Sequence, residues 1–168
     1  MSAVRSDASP GRPEPAAMRV MTVDRLDAVL AIEVQAYTFP WTRGNFIDSL
    51  AAQYLTRVLE SADGRLLGYF VAMPGYEEMH LLNLTVAPDQ QGRGYARALL
   101  AQFYVLSHAA NAGAVWLEVR ESNDRARRLY RHEGFVEAGR RRDYYPAPLG
   151  RREDAILMSR ALVSGDGS

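Results

Sequence analysis

Apolar and polar positions change period several times along the chain, and each change marks an element. Leu82, Leu84 and Val86 alternate with Asn83 and Thr85, the two-residue period of a strand, and Ala87-Pro88-Asp89 ends it. After this strand the period lengthens: Ala96, Leu99, Leu100, Phe103 and Ala110 share a helical face, with Gly113 as the expected stop. Upstream, residues 18–21 read as a short strand, and Thr22 caps a helix in which Leu26, Val29, Leu30 and Val34 keep helical spacing. Phe39-Pro40-Trp41 breaks that pattern, and Thr42 is a second N-cap, for a helix from Arg43 to about Ala52. Residues 54–60 and 66–73 are β-rich runs around Ser61-Ala62-Asp63-Gly64-Arg65, a hairpin signal, and the strand ending at Val86 starts near Met79.

Downstream, residues 114–119 read as a strand and 122–133 as a helix closed by Gly134; residues 135–145 and 155–162 supply two last strands. The expected order is βααβββαβαββ, a mixed α/β sheet in one domain from about Met18 to Leu162. Residues 1–17, rich in Ser, Ala, Pro, Gly and Arg without periodicity, read as a disordered tail, and 163–168 as a frayed end.

Composition narrows the chemistry more than the fold. The 168 residues suffice for one core, and 48% apolar with 24% charged residues is ordinary for a globular domain. Basic and acidic residues both number 20, the basic side carried by arginine, so no net charge argues for nucleic acid or a membrane surface. Cysteine is absent, which removes disulfides, thiolate metal sites and a cysteine nucleophile together. His80, His108 and His132 are too scattered for a metal cluster, so no metal is expected. With no span-length apolar run and no signal-peptide core, the expected location is the cytoplasm.

The strand ending at Val86 feeds Gln91-Gly92-Arg93-Gly94-Tyr95-Ala96-Arg97 and then the long helix. A glycine turn entering a helix aims unpaired N–H groups and the positive end of the helix dipole at one point, which favours a phosphate or pyrophosphate. The P-loop pattern fails because no Gly-Lys-Ser/Thr follows, and the dinucleotide fingerprint fails because Arg97 stands where a small residue is needed. Gln-x-x-Gly-x-Ala at Gln91, Gly94 and Ala96 does fit, and here the chain resembles the GNAT superfamily of N-acetyltransferases. That resemblance implies a turn cradling the pyrophosphate of acetyl-coenzyme A.

In Trp116-Leu117-Glu118-Val119-Arg120 a carboxylate interrupts an apolar strand, with Trp116, Glu118 and Arg120 on one face. Under two covered faces Glu118 is costly unless paired or used; near a strand end it pairs simply with Arg120 or Arg93. Ser122 is a natural N-cap, and Asn123 in the first turn is placed to hydrogen-bond a ligand. Ala126, Leu129 and Tyr130 share a stripe, so by pattern Tyr130 is a core aromatic whose hydroxyl wants a partner.

Phe39-Pro40-Trp41, Leu117 to Arg120 with Ser122-Asn123, Leu129-Tyr130 before Gly134-Phe135, Tyr144-Tyr145-Pro146 and Glu153-Asp154-Ala155-Ile156 surround the turn in order. This set resembles one branch, the ribosomal-protein-alanine N-acetyltransferases (the RimI family), over roughly residues 18–162. The resemblance implies the GNAT fold, acetyl-coenzyme A as co-substrate, and as partner the N-terminal alanine of the eighteenth small-subunit ribosomal protein. It implies Glu118 as proton acceptor and Tyr130 as proton donor. It implies coenzyme contacts at Leu84, Thr85 and Val86, at Gln91 and the turn Gly92, Arg93, Gly94, Tyr95, Ala96 and Arg97, and at Asn123. Phe39, Trp41, Tyr144 and Tyr145 would frame peptide entry. The chain departs from the pattern before Met18 and at Arg151-Arg152, where one basic residue is expected.

Such chemistry suits an N-terminus. Deprotonating an α-amine at neutral pH costs about 1 kcal/mol, a lysine roughly 4.6, so one carboxylate is a sufficient base. Two other expectations stay open: relaxed specificity toward several N-termini or a small amine, and a non-catalytic acyl-coenzyme-A-binding module.

Overall fold

The computed structural model describes residues 15–163. The tail expected at residues 1–14 and the end at 164–168 lie outside the described residues. Ala16 and Ala17, assigned to the tail from sequence, instead open the first strand, because they pair with Ser61 and Glu60.

The elements run β1 (Ala16–Arg19), α1 (Leu26–Ala36), α2 (Arg43–Ala51), β2 (Leu55–Ser61), β3 (Leu66–Gly75), β4 (Glu78–Val86), α3 (Tyr95–Ala109), β5 (Ala114–Arg120), α4 (Asp124–His132), β6 (Val136–Pro146) and β7 (Arg152–Ala161). The order is the one expected from periodicity, and the strands form one seven-stranded sheet in the order β1-β2-β3-β4-β5-β7-β6. All neighbours are antiparallel except β4 and β5.

β3 is the spine. Along it Phe70 and Ala72 enter a core with Leu99, Leu100 and Phe103 of α3, while Tyr69 and Val71 enter a second core with Leu26, Val29 and Ile32 of α1 and Phe46 of α2. Period-two alternation on a strand covered on both faces produces this division. The cover is uneven, however. Val115, Leu117 and Val119 of β5 belong to the α3 core, and their neighbours Trp116, Glu118 and Arg120 are only half-buried. Glu118 therefore escapes the full burial cost that two covered faces would impose.

Local signals behave as their chemistry dictates, with four corrections. Thr42 caps α2 in a reciprocal capping box with Asn45, and Gly64, at φ +83°, closes the β2–β3 hairpin. Thr22 makes no side-chain cap and leads into a short 3-10 turn; the buried stripe of α1 is Leu26, Val29, Ile32 and Glu33, with Val34 exposed. The left-handed residue ending α3 is Asn111 at φ +63°, not Gly113. The N-cap of α4 is Asn123, whose Oδ1 accepts from the Ala126 N–H at 3.2 Å, rather than Ser122.

α3 lies very close to the sheet at Gly68. A Cβ built there would stand 2.7 Å from the Thr85 carbonyl oxygen and 3.1 Å from Leu99 Cδ1. Gly68→Ala should therefore destabilise the fold by about 1–3 kcal/mol, as overpacking does. A melting curve superposable on that of the parent would disprove the tight approach.

Candidate functional site

The parallel pair β4–β5 holds only from Glu78↔Ala114 to Leu81↔Leu117. Beyond it β4 runs on to Val86 and β5 to Arg120 without pairing, so two strand ends diverge. A bulge on β4 adds to this. Val71 faces Asn83 but Ala72 faces Leu81, which leaves Leu82 as the extra residue. Two adjoining cavities fill the gap.

The first, about 580 Å³, is lined by Leu84, Thr85 and Val86 of β4, by Gln91, Gly92, Gly94, Tyr95, Ala96 and Arg97 of the turn, and by Asn123 and Tyr130. Gly92 and Gly94 have φ of +79° and +87°, a region that side chains disfavour, and Gly94 is the N-cap of α3 with no side chain capping it. The first-turn N–H groups thus remain available to an anion. Arg93, expected as a contact, is not among the lining residues of this cavity. Arg125 lines it instead and donates to Gln91 Oε1 at 2.6 Å across the groove. Gln90, also in the wall, is 5% exposed, and its Oε1 has no protein partner. An uncapped helix N-terminus, two arginines and an orphaned acceptor fit a ligand that carries phosphates and amide N–H groups, as coenzyme A does.

The second cavity, about 300 Å³, opens on the other side of Tyr37, Leu84, Asn123, Ala126 and Tyr130, which line both. Phe39, Trp41, Glu118, Arg120 and Tyr145 line it too. Tyr144, grouped with these from sequence, is not a lining residue; its ring packs edge-on to Tyr145 at 4.9 Å. Glu118 pairs with neither Arg120 nor Arg93. Arg141 of β6 holds it at 2.8 Å, and burial together with the Glu118 charge raises the Tyr144 phenol above its usual range. Arg120 is committed elsewhere: it bonds Glu153 at 2.7 Å and the Pro146 carbonyl at 2.8 Å, and lies over the rings of Tyr145 and Phe39. One guanidinium thereby gathers the aromatic residues around the opening.

Tyr130 is 8% exposed, and burial, reinforced by neighbouring phenols, pushes its hydroxyl well above the usual tyrosine range. Tyr37 is pushed up to about 12, by burial first and also by the charge of Glu33. Glu33 is the residue the sequence hid: 1% exposed, it accepts from the Trp41 N–H at 3.0 Å, from Asn83 and from the Tyr69 hydroxyl. Its place on the buried stripe of α1, beside Val29 and Ile32, is the signal that could have revealed it.

The acetyltransferase (GNAT) family model matches residues 26–135, and the chain belongs to that family. Among its relatives, the [ribosomal protein bS18]-alanine N-acetyltransferase of Escherichia coli K12 is 38% identical over 134 residues, covering 80% of this chain and 89% of that protein. The protein of the same name from Salmonella typhimurium is 37% identical over 140 residues, 83% of this chain and 93% of its own length. The crystal structure of the ribosomal-protein-S18-alanine N-acetyltransferase from Escherichia coli superposes with a TM-score of 0.81 at 34% identity, covering 92% of this chain and 99% of that one.

The glycine turn makes a direct prediction. Gly94→Val forces a branched side chain into a left-handed φ of +87° beside the helix N-terminus. Acetyl-coenzyme A affinity should fall at least tenfold, about 1.4 kcal/mol, in a protein that still folds but melts lower because of the strained φ. Calorimetry giving the parental Kd would remove the turn from the binding site.

Proposed function

We propose that the chain transfers the acetyl group of acetyl-coenzyme A to a protein N-terminus, the acceptor being the N-terminal alanine of ribosomal protein bS18. The observation that carries this reading is the shared wall. Tyr130 borders both cavities and Glu118 only the second, so a thioester laid along β4 and an amine from the aromatic side would meet between a base and an acid. The relatives that share the fold over most of this chain carry that activity in their names. The unit concerned runs from Ala16, where the first strand opens, to about Leu162, and cytoplasmic ribosomal protein is its natural substrate pool.

Glu118 takes a proton from the α-amine as nitrogen attacks the carbonyl carbon. The C–S bond then breaks, and Tyr130 protonates the departing sulfur. A phenol raised by burial would be a poor acid for a solvated thiolate. A thiolate leaving beside the same buried phenol is itself partly desolvated, which raises its proton affinity and narrows the difference. The exposed ion pair with Arg141 is weak enough to be released when a peptide arrives. Phe39, Trp41 and Tyr145 flank the approach, with Tyr144 packed against Tyr145.

A peptide beginning Ala-Arg should be acetylated and its N-blocked form should not, because an internal lysine costs about 3.5 kcal/mol more to deprotonate at neutral pH. Efficient modification of the blocked peptide would overturn the N-terminal reading.

Glu118→Gln should lower turnover roughly 10²- to 10⁴-fold, less at high pH, where the α-amine loses its proton unaided. Tyr130→Phe should lower turnover with coenzyme affinity retained and no such rescue. Parental turnover per folded molecule in both variants, read from pH–rate profiles beside melting curves, would mark the pair as structural and favour a binding module.

A further inference from the structure

Among the described residues Glu33 is the one acid that is fully buried, and it begins a chain of hydrogen bonds with a fixed direction. A carboxylate only accepts. Asn83 Nδ2 lies 3.2 Å from both of its oxygens, so the amide NH₂ faces Glu33 and Asn83 Oδ1 faces the other way. Thr85 donates its single hydroxyl proton to that Oδ1 at 2.7 Å. The 2.7 Å contact between Thr85 Oγ1 and the Tyr37 hydroxyl is therefore donated by Tyr37, with the Leu84 carbonyl a longer acceptor at 3.3 Å. Tyr37 borders both cavities, and with its one proton committed its oxygen keeps lone-pair capacity to offer. The same carboxylate holds the Trp41 N–H, so one group sets the phenol and the aromatic loop that lines the second cavity.

We infer that Tyr37 is the hydrogen-bond acceptor for the attacking amine of the acceptor substrate, held in that role by the positioning residues Glu33, Asn83 and Thr85. The inference rests on the acetyl-transfer reading above and adds a group that its chemistry requires. A neutral amine brings one lone pair and two N–H groups. The lone pair forms the C–N bond, Glu118 removes one proton, and the second N–H stays on nitrogen into the product amide. Besides Phe39, Trp41, Leu84 and Tyr145 the cavity is lined by polar groups already engaged, Glu33 with Asn83, Arg120 with Glu153 and Asn123 with the Ala126 N–H, so that N–H needs another protein acceptor. Tyr37, oriented by a chain that ends on a buried charge, supplies one, and each link polarises the next.

The test is Tyr37→Phe, assayed with the Ala-Arg peptide at saturating acetyl-coenzyme A. Coenzyme affinity is measured by calorimetry and folding by a melting curve. The expected result is a loss of about tenfold in kcat/KM for the peptide, the usual effect of one buried hydrogen bond, with the acetyl-coenzyme A Kd within twofold of the parent. Thr85→Val should lower peptide kcat/KM in the same direction. The double variant should be no worse than Tyr37→Phe alone, because Thr85 acts through Tyr37. Parental peptide kinetics in folded Tyr37→Phe would overturn the inference. So would a loss confined to coenzyme affinity, or additive losses in the double variant. If the parent fails to acetylate the peptide, the functional reading fails first and this inference falls with it. An active parent with an unaffected Tyr37→Phe defeats this inference alone.

Discussion

A parallel strand pair that separates while both strands continue leaves backbone donors and acceptors facing a gap. β4 and β5 do this past Leu81 and Leu117, and much of the molecule follows from it. Unpaired backbone in a protein interior is costly unless something satisfies it. Here the gap holds cavities rather than packed side chains, and an extended ligand with amide groups satisfies such an edge in the manner of an added strand. The bulge at Leu82 and the glycine turn at one end of the gap, and the aromatic residues at the other, are arranged around that opening.

Charge near the opening is handled locally. Arg120, Arg140 and Arg141 each hold a carboxylate within 3 Å, at Glu153, at Glu121 and Asp154, and at Glu118. Exposed pairs of this kind add little stability. Their effect is geometric: Arg120 ties the strand bearing Glu118 to Pro146 and to two rings, Tyr145 at the end of β6 and Phe39 on the loop after α1. Glu33, on the covered side, meets neutral donors at Trp41, Tyr69 and Asn83, which fixes backbone and amide orientation instead.

The fold was legible because its signals are local. Alternation in Leu82 to Val86, the Thr42 cap, the Gly64 hairpin and the Gly94 turn each state their element within a few residues. The residues lining the first cavity were legible too, since most lie on that one contiguous stretch. What escaped depends on contacts between distant segments. Glu33 reads as a surface acid until α1 is docked, and Arg141 lies 23 positions from Glu118. Tyr37 follows the last helical residue and meets Thr85 across 48 positions. Ser122 and Asn123 are equally good caps on paper; the Asn123 side chain, bonded to the Ala126 N–H, decides between them.

The common wall of the two cavities has a kinetic meaning. Tyr37, Leu84, Asn123, Ala126 and Tyr130 border both, so on the acetyl-transfer reading donor and acceptor would occupy neighbouring spaces at the same time rather than one space in turn. With no cysteine to carry an acyl group, nothing in this arrangement calls for parking the acetyl on the protein between two visits. On the acetyl-transfer reading, the enzyme works through a ternary complex. Double-reciprocal plots at several fixed concentrations of one substrate then intersect, and each ligand can alter the affinity of the other through the side chains they jointly touch.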